Sequence, residues 1–327
     1  MFYSNKLSEK PTIGVTAMSA GQGKYIEKYK KSILNLENNG FQVIETASVR
    51  NDTNPSNTPD IRAKELDRVV TDKDVELVMC ASGGDFLFDM IPHVNFENIK
   101  NNPKWYMGSS DPSSILHIIT TKLDIATIYG FNAASFDHDT LHKSELNAIS
   151  IMKGNIIPQE SFEKYELEKD ETLGTYNLTE EVYWKNLNME EITIKGRIIG
   201  GCIDAIKNLL GTKHDYTKEF IEKYKEDGII WYFDIFSLTA EDLYLLLIQM
   251  KEAGWLNYLK GVIVGRVKYP NSFVEMTYEE ALQKALDVPV IFNADIGHVA
   301  PKMTIINGAI ATITSSNGKG IITQELI

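Results

Sequence analysis

Short β-forming runs alternate with amphipathic helical stretches through the first 130 residues, and this alternation constrains the fold more than any other feature of the chain. Thr12 to Ala17 reads as a buried strand, followed by a loop with Gly21 and Gly23. A helix from about Tyr25 to Asn38 then carries Ile26, Tyr29, Ile33 and Leu36 on one face and stops at Gly40. Phe41 to Glu45, Glu76 to Ala81, Trp105 to Gly108 and Ile125 to Tyr129 are the next strands. Thr58 and Pro59 open a helix between the first two of these. Strand and helix in strict alternation give parallel strands joined by helical crossovers. The expected N-terminal unit, residues 1–153, is therefore an open parallel-sheet α/β domain with flanking helices.

The character changes at residue 154. Residues 154–188 are charged and poor in aliphatic side chains, as in the run from Lys164 to Glu171, and are expected to form a linker or lid loop. Residues 189–327 read as a second, β-rich mixed α/β domain. Its strands are Thr193 to Ile199, Ile229 to Phe236, Lys260 to Gly265, Val288 to Asn293 and much of the tail from Met303 to Gln324. Gly200 and Gly201 are expected to make a close turn, with a helix through Leu210 after it. Thr239 and Asp242 give a capping pattern for a helix that ends near Gly254.

A net charge of −12 without a long basic stripe disfavours nucleic acid as a partner, because phosphate neutralisation supplies most of that affinity. The cluster Lys24, Lys28, Lys30 and Lys31 fits a solvated helix face. Cys80 and Cys202 follow no metal-ligand spacing, which points to a reducing compartment rather than a disulfide scaffold. No leader pattern opens the sequence, and no apolar run approaches the roughly 20 residues that span a bilayer. The expected location is the cytoplasm, with no membrane partner.

The segment Lys104-Trp-Tyr-Met-Gly-Ser-Ser-Asp-Pro-Ser-Ser-Ile-Leu carries the chemistry. A strand ends at Gly108, the chain turns through Ser109 and Ser110, and a helix follows, with Asp111 typed as its N-cap and Pro112 as its first residue. A serine on such a corner presents its hydroxyl at the carboxyl edge of the sheet, as a nucleophile elbow does. Gly83 and Gly84 close the preceding strand at the same edge, where glycine lets backbone N–H groups approach a developing oxyanion. Of the six histidines, His298 alone sits in a Gly-flanked turn beyond a buried strand, in Asp295-Ile-Gly-His. His93, His117 and His214 have no obvious partner. His138 and His142, with Asp137 and Asp139 nearby, have ligand-like spacing but lack a third ligand motif, so no metal is expected.

In order along the chain, these features resemble the LD-carboxypeptidases, the serine peptidase family that includes the microcin C self-immunity hydrolases. The resemblance rests on Thr12-Ile-Gly-Val, Arg62-Ala-Lys-Glu-Leu, Gly83-Gly84, Asn102-Pro-Lys, Gly108-Ser-Ser-Asp111 and Tyr129-Gly130. Further along it rests on Gly196-Arg-Ile-Ile-Gly-Gly201, Val264-Gly265 and Gly297-His298. The charged connection with Trp184 looks like the longer interdomain loop of the microcin-immunity branch. The resemblance implies a Ser110 nucleophile, a His298 general base, and oxyanion donors at the backbones of Gly83, Gly84 and Asp111. It also implies a small peptide or peptide-like substrate, either a murein L,D-peptide or an aminoacyl nucleotide. No cofactor is implied, and the family's tendency is to form homodimers.

The pattern departs from the family in the strand Ile229-Ile-Trp-Tyr-Phe-Asp-Ile, where Phe233 falls at the position of the family's triad glutamate. Asp234 is the neighbouring acid. Alternation of side chains turns it away from the face of Phe233, so it is expected to orient His298 only through a bulge or a one-residue slip. Ser82 also stands where murein-recycling members often carry arginine. The alternative to a serine carboxypeptidase or amidohydrolase is thus a weak or silent ligand-binding homologue.

Overall fold

The computed structural model describes residues 1–4 and 6–327. Its first sheet contains β1 (Thr12–Thr16), β2 (Gln42–Glu45), β3 (Val75–Cys80), β4 (Trp105–Gly108) and β5 (Thr127–Tyr129), all parallel. The connecting helices Ile26–Asn38, Pro59–Thr71 and Ser113–Leu123 cover the faces. Because helices bury both sides, every residue of β1 and β4 is buried, which is why those strands read as continuous apolar runs.

The connection at 154–188 is not a free linker. It contributes β6 (Gln159–Glu160), the small hairpin β7 (Lys164–Tyr165) with β8 (Glu180–Glu181), and β9 (Lys185–Asn186). The second sheet adds β10 (Ile192–Cys202), β11 (Ile229–Asp234), β12 (Leu259–Gly265) and β13 (Val290–Ala294), which are parallel. After β14 (Ile305–Asn307), β15 (Ile310–Ser316) and β16 (Lys319–Glu325) complete it in the order β6-β16-β15-β10-β11-β12-β13-β9. The connection therefore supplies both edge strands of this sheet. Phe162 and Trp184 anchor it, because the Phe162 backbone N–H and the Trp184 indole N–H both donate to the buried Asp295 carboxylate, at 3.1 and 2.9 Å.

Two other expectations are corrected. Gly200 and Gly201 do not turn. They continue β10, where a Cβ on Gly200 would strike the Tyr232 carbonyl, so glycine is required for strand contact rather than for reversal. Nor does the whole tail stay with the second sheet, since β14 alone pairs antiparallel with β5 and gives the first sheet the order β14-β5-β4-β3-β1-β2. This crossing, with Ser113–Leu123 packed against β10, locks the two sheets together. The Cys202 N–H donates to Ser113 Oγ at 2.9 Å, and His117 stacks on Trp231 at 5.7 Å. As a result the carboxyl ends of β3, β4, β10, β11 and β13 gather in one region, where open α/β sheets hold ligands.

Candidate active site

Ser110 sits just beyond β4 with φ +67°. That left-handed conformation is uncommon for a residue with a Cβ, and strain of this kind collects at functional corners. Two contacts hold it. The Asn132 side chain clamps Ser109, accepting from its N–H at 2.9 Å and donating to its carbonyl at 3.2 Å, and Ser113 N–H closes the turn onto the Ser110 carbonyl at 2.8 Å. Gly83 lies directly against the serine, since a Cβ placed there would be 2.9 Å from Ser110 Cβ and 3.1 Å from its Oγ. Among the described residues, the backbone N–H groups of Gly83, Gly84 and Asp111 meet no protein acceptor.

Asp111 does not cap the helix as expected. The helix is Ser113–Leu123, and Pro112 occupies the capping position without a side-chain bond. The buried Asp111 carboxylate instead reaches outward, accepting from Ser19 Oγ at 2.5 Å and from the Leu87 N–H at 2.7 Å. It thereby ties two loops at the sheet edge, those of Ser19 and Leu87, to the serine corner. Burial raises its pKa, against the lowering pull of those two bonds. Ser110, Asp111 and Gly84 line a cleft of about 330 Å³ with Cys202, Asp204 and Phe236.

His298 approaches from the second sheet. Its Nδ1 lies 2.9 and 2.7 Å from the two Asp234 oxygens, and its backbone N–H donates to the same carboxylate at 3.2 Å. Gly297, at φ +96°, makes room for this, because a Cβ there would collide with Asp234 Oδ1. Asp234 is fully buried and also accepts from the Tyr129 hydroxyl. Burial works to raise its pKa, but the His298 imidazole, the hydrogen bond from it and the Tyr129 hydroxyl outweigh burial and hold the carboxyl below its ordinary range. The His298 ring packs on Phe236, centroids 4.7 Å apart, so the wall of the serine cleft is also the floor of the imidazole. From there His298 faces an adjoining cleft of about 480 Å³.

The expectation that Asp234 needs a bulge or slip is overturned. Pairing of β10 with β11 is regular through Gly201↔Phe233 and Cys202↔Asp234, and the only shift lies at the far end of β11, between Ile229 and Ile230. Asp234 shares its face with Tyr232, whose ring is 5.6 Å from Tyr129, and this is the face turned to His298. Phe233 belongs to the opposite face and packs on Trp231 at 5.7 Å. The acid is one residue later than its expected place, and simple alternation puts it at the histidine.

Reasoning from the sequence missed the parts that only tertiary contact defines: Tyr129 behind Asp234, Asn132 behind Ser109, and Phe236 beneath His298. The tyrosine stood in a quoted motif, but nothing local marks a hydroxyl aimed across two sheets. His138 and His142 do not act together. His138 Nδ1 pairs with buried Glu145 at 2.9 Å, and His142 caps the helix Lys143–Met152. Cys202 Sγ, Asp234 and His298 have ligand atoms within 4.8 Å of one another. Burial raises the Cys202 thiol pKa well above its usual value, which disfavours the thiolate a metal needs. Among the described residues no helix is long and apolar enough to cross a membrane.

A strained serine at a sheet edge and an acid-bound imidazole are thus linked through Phe236, which lines the cleft of the one and packs on the ring of the other. Residues 13–130 match the LD-carboxypeptidase N-terminal domain and residues 195–313 the LD-carboxypeptidase C-terminal domain, and the chain belongs to this family. It is 23% identical to the microcin C7 self-immunity protein MccF of Escherichia coli, over 89% of this chain and 87% of that one. Its fold matches an MccF-like protein from Bacillus anthracis at a TM-score of 0.85, with 21% identity and complete coverage of both chains. MccF in complex with aspartyl sulfamoyl adenosine matches at 0.82, with 22% identity over 100% of this chain and 99% of that one. At such identity the structural likeness speaks to fold alone. Family and relatives together make this chain a peptidase-like hydrolase.

Proposed function

We propose that the chain is a serine carboxypeptidase or amidohydrolase that cleaves an amide in a small peptide or peptide-like substrate through an acyl-enzyme on Ser110. The observation that carries this reading is the His298–Asp234 pair at 2.7–2.9 Å, sharing Phe236 with the cleft of Ser110. Asp234 fixes the imidazole with its proton on Nδ1, leaving Nε2 to accept a proton. Ser110 Oγ attacks the carbonyl as His298 takes its proton, and the N–H groups of Gly83, Gly84 and Asp111 supply donors for the oxyanion. The imidazolium then protonates the leaving amine, and water, activated by the same base, releases the acid. The Tyr129 hydroxyl donates to Oδ2 of the same carboxylate, the oxygen 2.7 Å from His298 Nδ1, and so helps to keep Asp234 oriented. Phe233 motivates the alternative of a silent ligand-binding homologue, and the hydrogen bond between Asp234 and His298 favours the hydrolase over it.

The family resemblance suggests two substrate classes, a murein L,D-peptide and an aminoacyl nucleotide. Incubation with an L,D-tetrapeptide and with aspartyl sulfamoyl adenosine tests both, alongside labelling by a serine-directed fluorophosphonate. Turnover or labelling that disappears in Ser110→Ala supports the reading. An unlabelled wild type that hydrolyses neither compound sinks it. A cytoplasmic, homodimeric protein is part of the same proposal, and size-exclusion chromatography with light scattering reads the assembly.

A further inference from the structure

The cleft that His298 faces is lined by four lysines, and their charges are not equivalent. Lys28 and Lys169 both pair with Glu171, the latter at 3.2 Å. The ammoniums of Lys268 and Lys302 have no ion-pair or hydrogen-bond partner among the described residues and lie over aromatic rings, Tyr269 at 5.9 Å and Phe131 at 4.8 Å. Both are half-buried. A half-buried ammonium in no direct ion pair keeps its donors open to an anion that is not part of the protein.

The two are placed beside the chemistry. The Lys268 backbone donates to Ile235, the residue after Asp234, at 3.1 Å, and Lys302 follows His298 by one turn of chain around Ala300-Pro301. Among the described residues, none of the three acids that line the cleft, Asp137, Glu166 and Glu171, forms an ion pair with Lys268 or Lys302. Glu171 holds its two lysines, and Glu166 accepts from the Asn177 N–H at 2.9 Å. Burial pushes the Lys302 pKa down to about 8, with Asp234 and Glu145 opposing the shift, so an arriving anion would stabilise its charged form.

We propose that Lys268 and Lys302 together receive an oxyanion that the substrate carries close to the bond cleaved. This rests on the hydrolase reading for its place in the reaction, but binding can be measured without turnover. The shared chemistry is a carboxylate at a peptide terminus or the sulfamoyl or phosphoryl group of an aminoacyl nucleotide.

The test titrates Ser110→Ala, which cannot cleave, with three probes: an L,D-tetrapeptide bearing a free terminal carboxylate, the same peptide amidated there, and aspartyl sulfamoyl adenosine. Adding Lys302→Met should weaken the anionic probe that fits by about ten- to a hundredfold, the loss expected of a charge-assisted hydrogen bond. Lys302→Arg should restore most of it, and the preference for the free over the amidated peptide should collapse with the methionine. A loss confined to the peptide identifies a carboxylate, and a loss confined to the nucleotide identifies its sulfamoyl or phosphoryl counterpart. Lys268→Met, on a more open side chain, provides the same readout if Lys302→Met unfolds. Equal weakening of free and amidated peptides, no effect of either lysine, or no binding of any probe overturns the proposal. Lysine-dependent binding in a protein whose wild type neither turns over substrate nor labels would sink the hydrolase reading and leave the anion site standing.

Discussion

Asp234→Asn isolates what the buried carboxylate contributes. The acid is fully buried and accepts from His298 Nδ1, the His298 backbone N–H and the Tyr129 hydroxyl. An amide of the same shape can keep an oxygen toward one of these donors, but its NH2 must then face another. The imidazole escapes that clash by moving its proton to Nε2, which removes the base from the serine side. In well-studied serine proteases this loss lowers kcat by roughly 10⁴, about 5.5 kcal/mol of transition-state stabilisation. The site should remain folded, since only one side-chain atom changes character. The assay is the rate of fluorophosphonate labelling at Ser110, followed by intact mass, because it needs no knowledge of the natural substrate. A fall of about three to four orders of magnitude, with the melting temperature within a few degrees of wild type, is expected. Labelling within about tenfold of wild type would mean that another group orients His298, and the role given to Asp234 would be wrong.

Gly83→Ala should lower labelling by about a hundredfold with little change in stability, because its Cβ would sit 2.9 Å from Ser110 Cβ and displace the reacting hydroxyl; an unimpaired variant would separate Gly83 from the serine. Phe233→Leu should cost about 1 kcal/mol in urea unfolding while labelling stays within about threefold, since its ring packs on Trp231 rather than on the site; a large activity loss would put Phe233 back at the triad. His117 is fully buried with Nε2 2.8 Å from Thr217 Oγ1, and burial pushes its pKa down from 6.5 to about 4. Its neutral form therefore contributes stability in full above pH 6.5, and about 3 kcal/mol is lost as pH falls from 6.5 towards 4, where the unfolded chain takes up a proton that the folded one refuses. Urea titrations across that range should show a shallower acid slope in His117→Gln, and an unchanged slope would assign the acid loss to other groups.

Residues near in sequence declared themselves well. The serine corner follows from an apolar strand, a small-residue turn and a proline that can only begin a helix, all within thirteen positions. His298 stood out because a glycine-flanked turn after a buried strand is a local signature. The errors came where local rules leave a choice. Asp111 has good capping chemistry, yet its carboxylate is worth more bridging Ser19 and Leu87, neither of which its own segment announces. The charged run at 154–188 has a linker's composition, but Phe162 and Trp184 give it a buried anchor and its short strands an edge to join.

The sequence alone determined that two α/β units would form, because hydrophobic periodicity and punctuation fix which backbone pairs locally and which face is apolar. It also determined which serine and which histidine would end at sheet edges. Only the tertiary structure decided which face of β11 meets the histidine, that Tyr129 backs Asp234, and that β14 crosses to the first sheet. Strand alternation gives two opposite faces but carries no label for what lies above each. That assignment is made by packing between segments more than a hundred residues apart, where burial energy rather than local propensity decides.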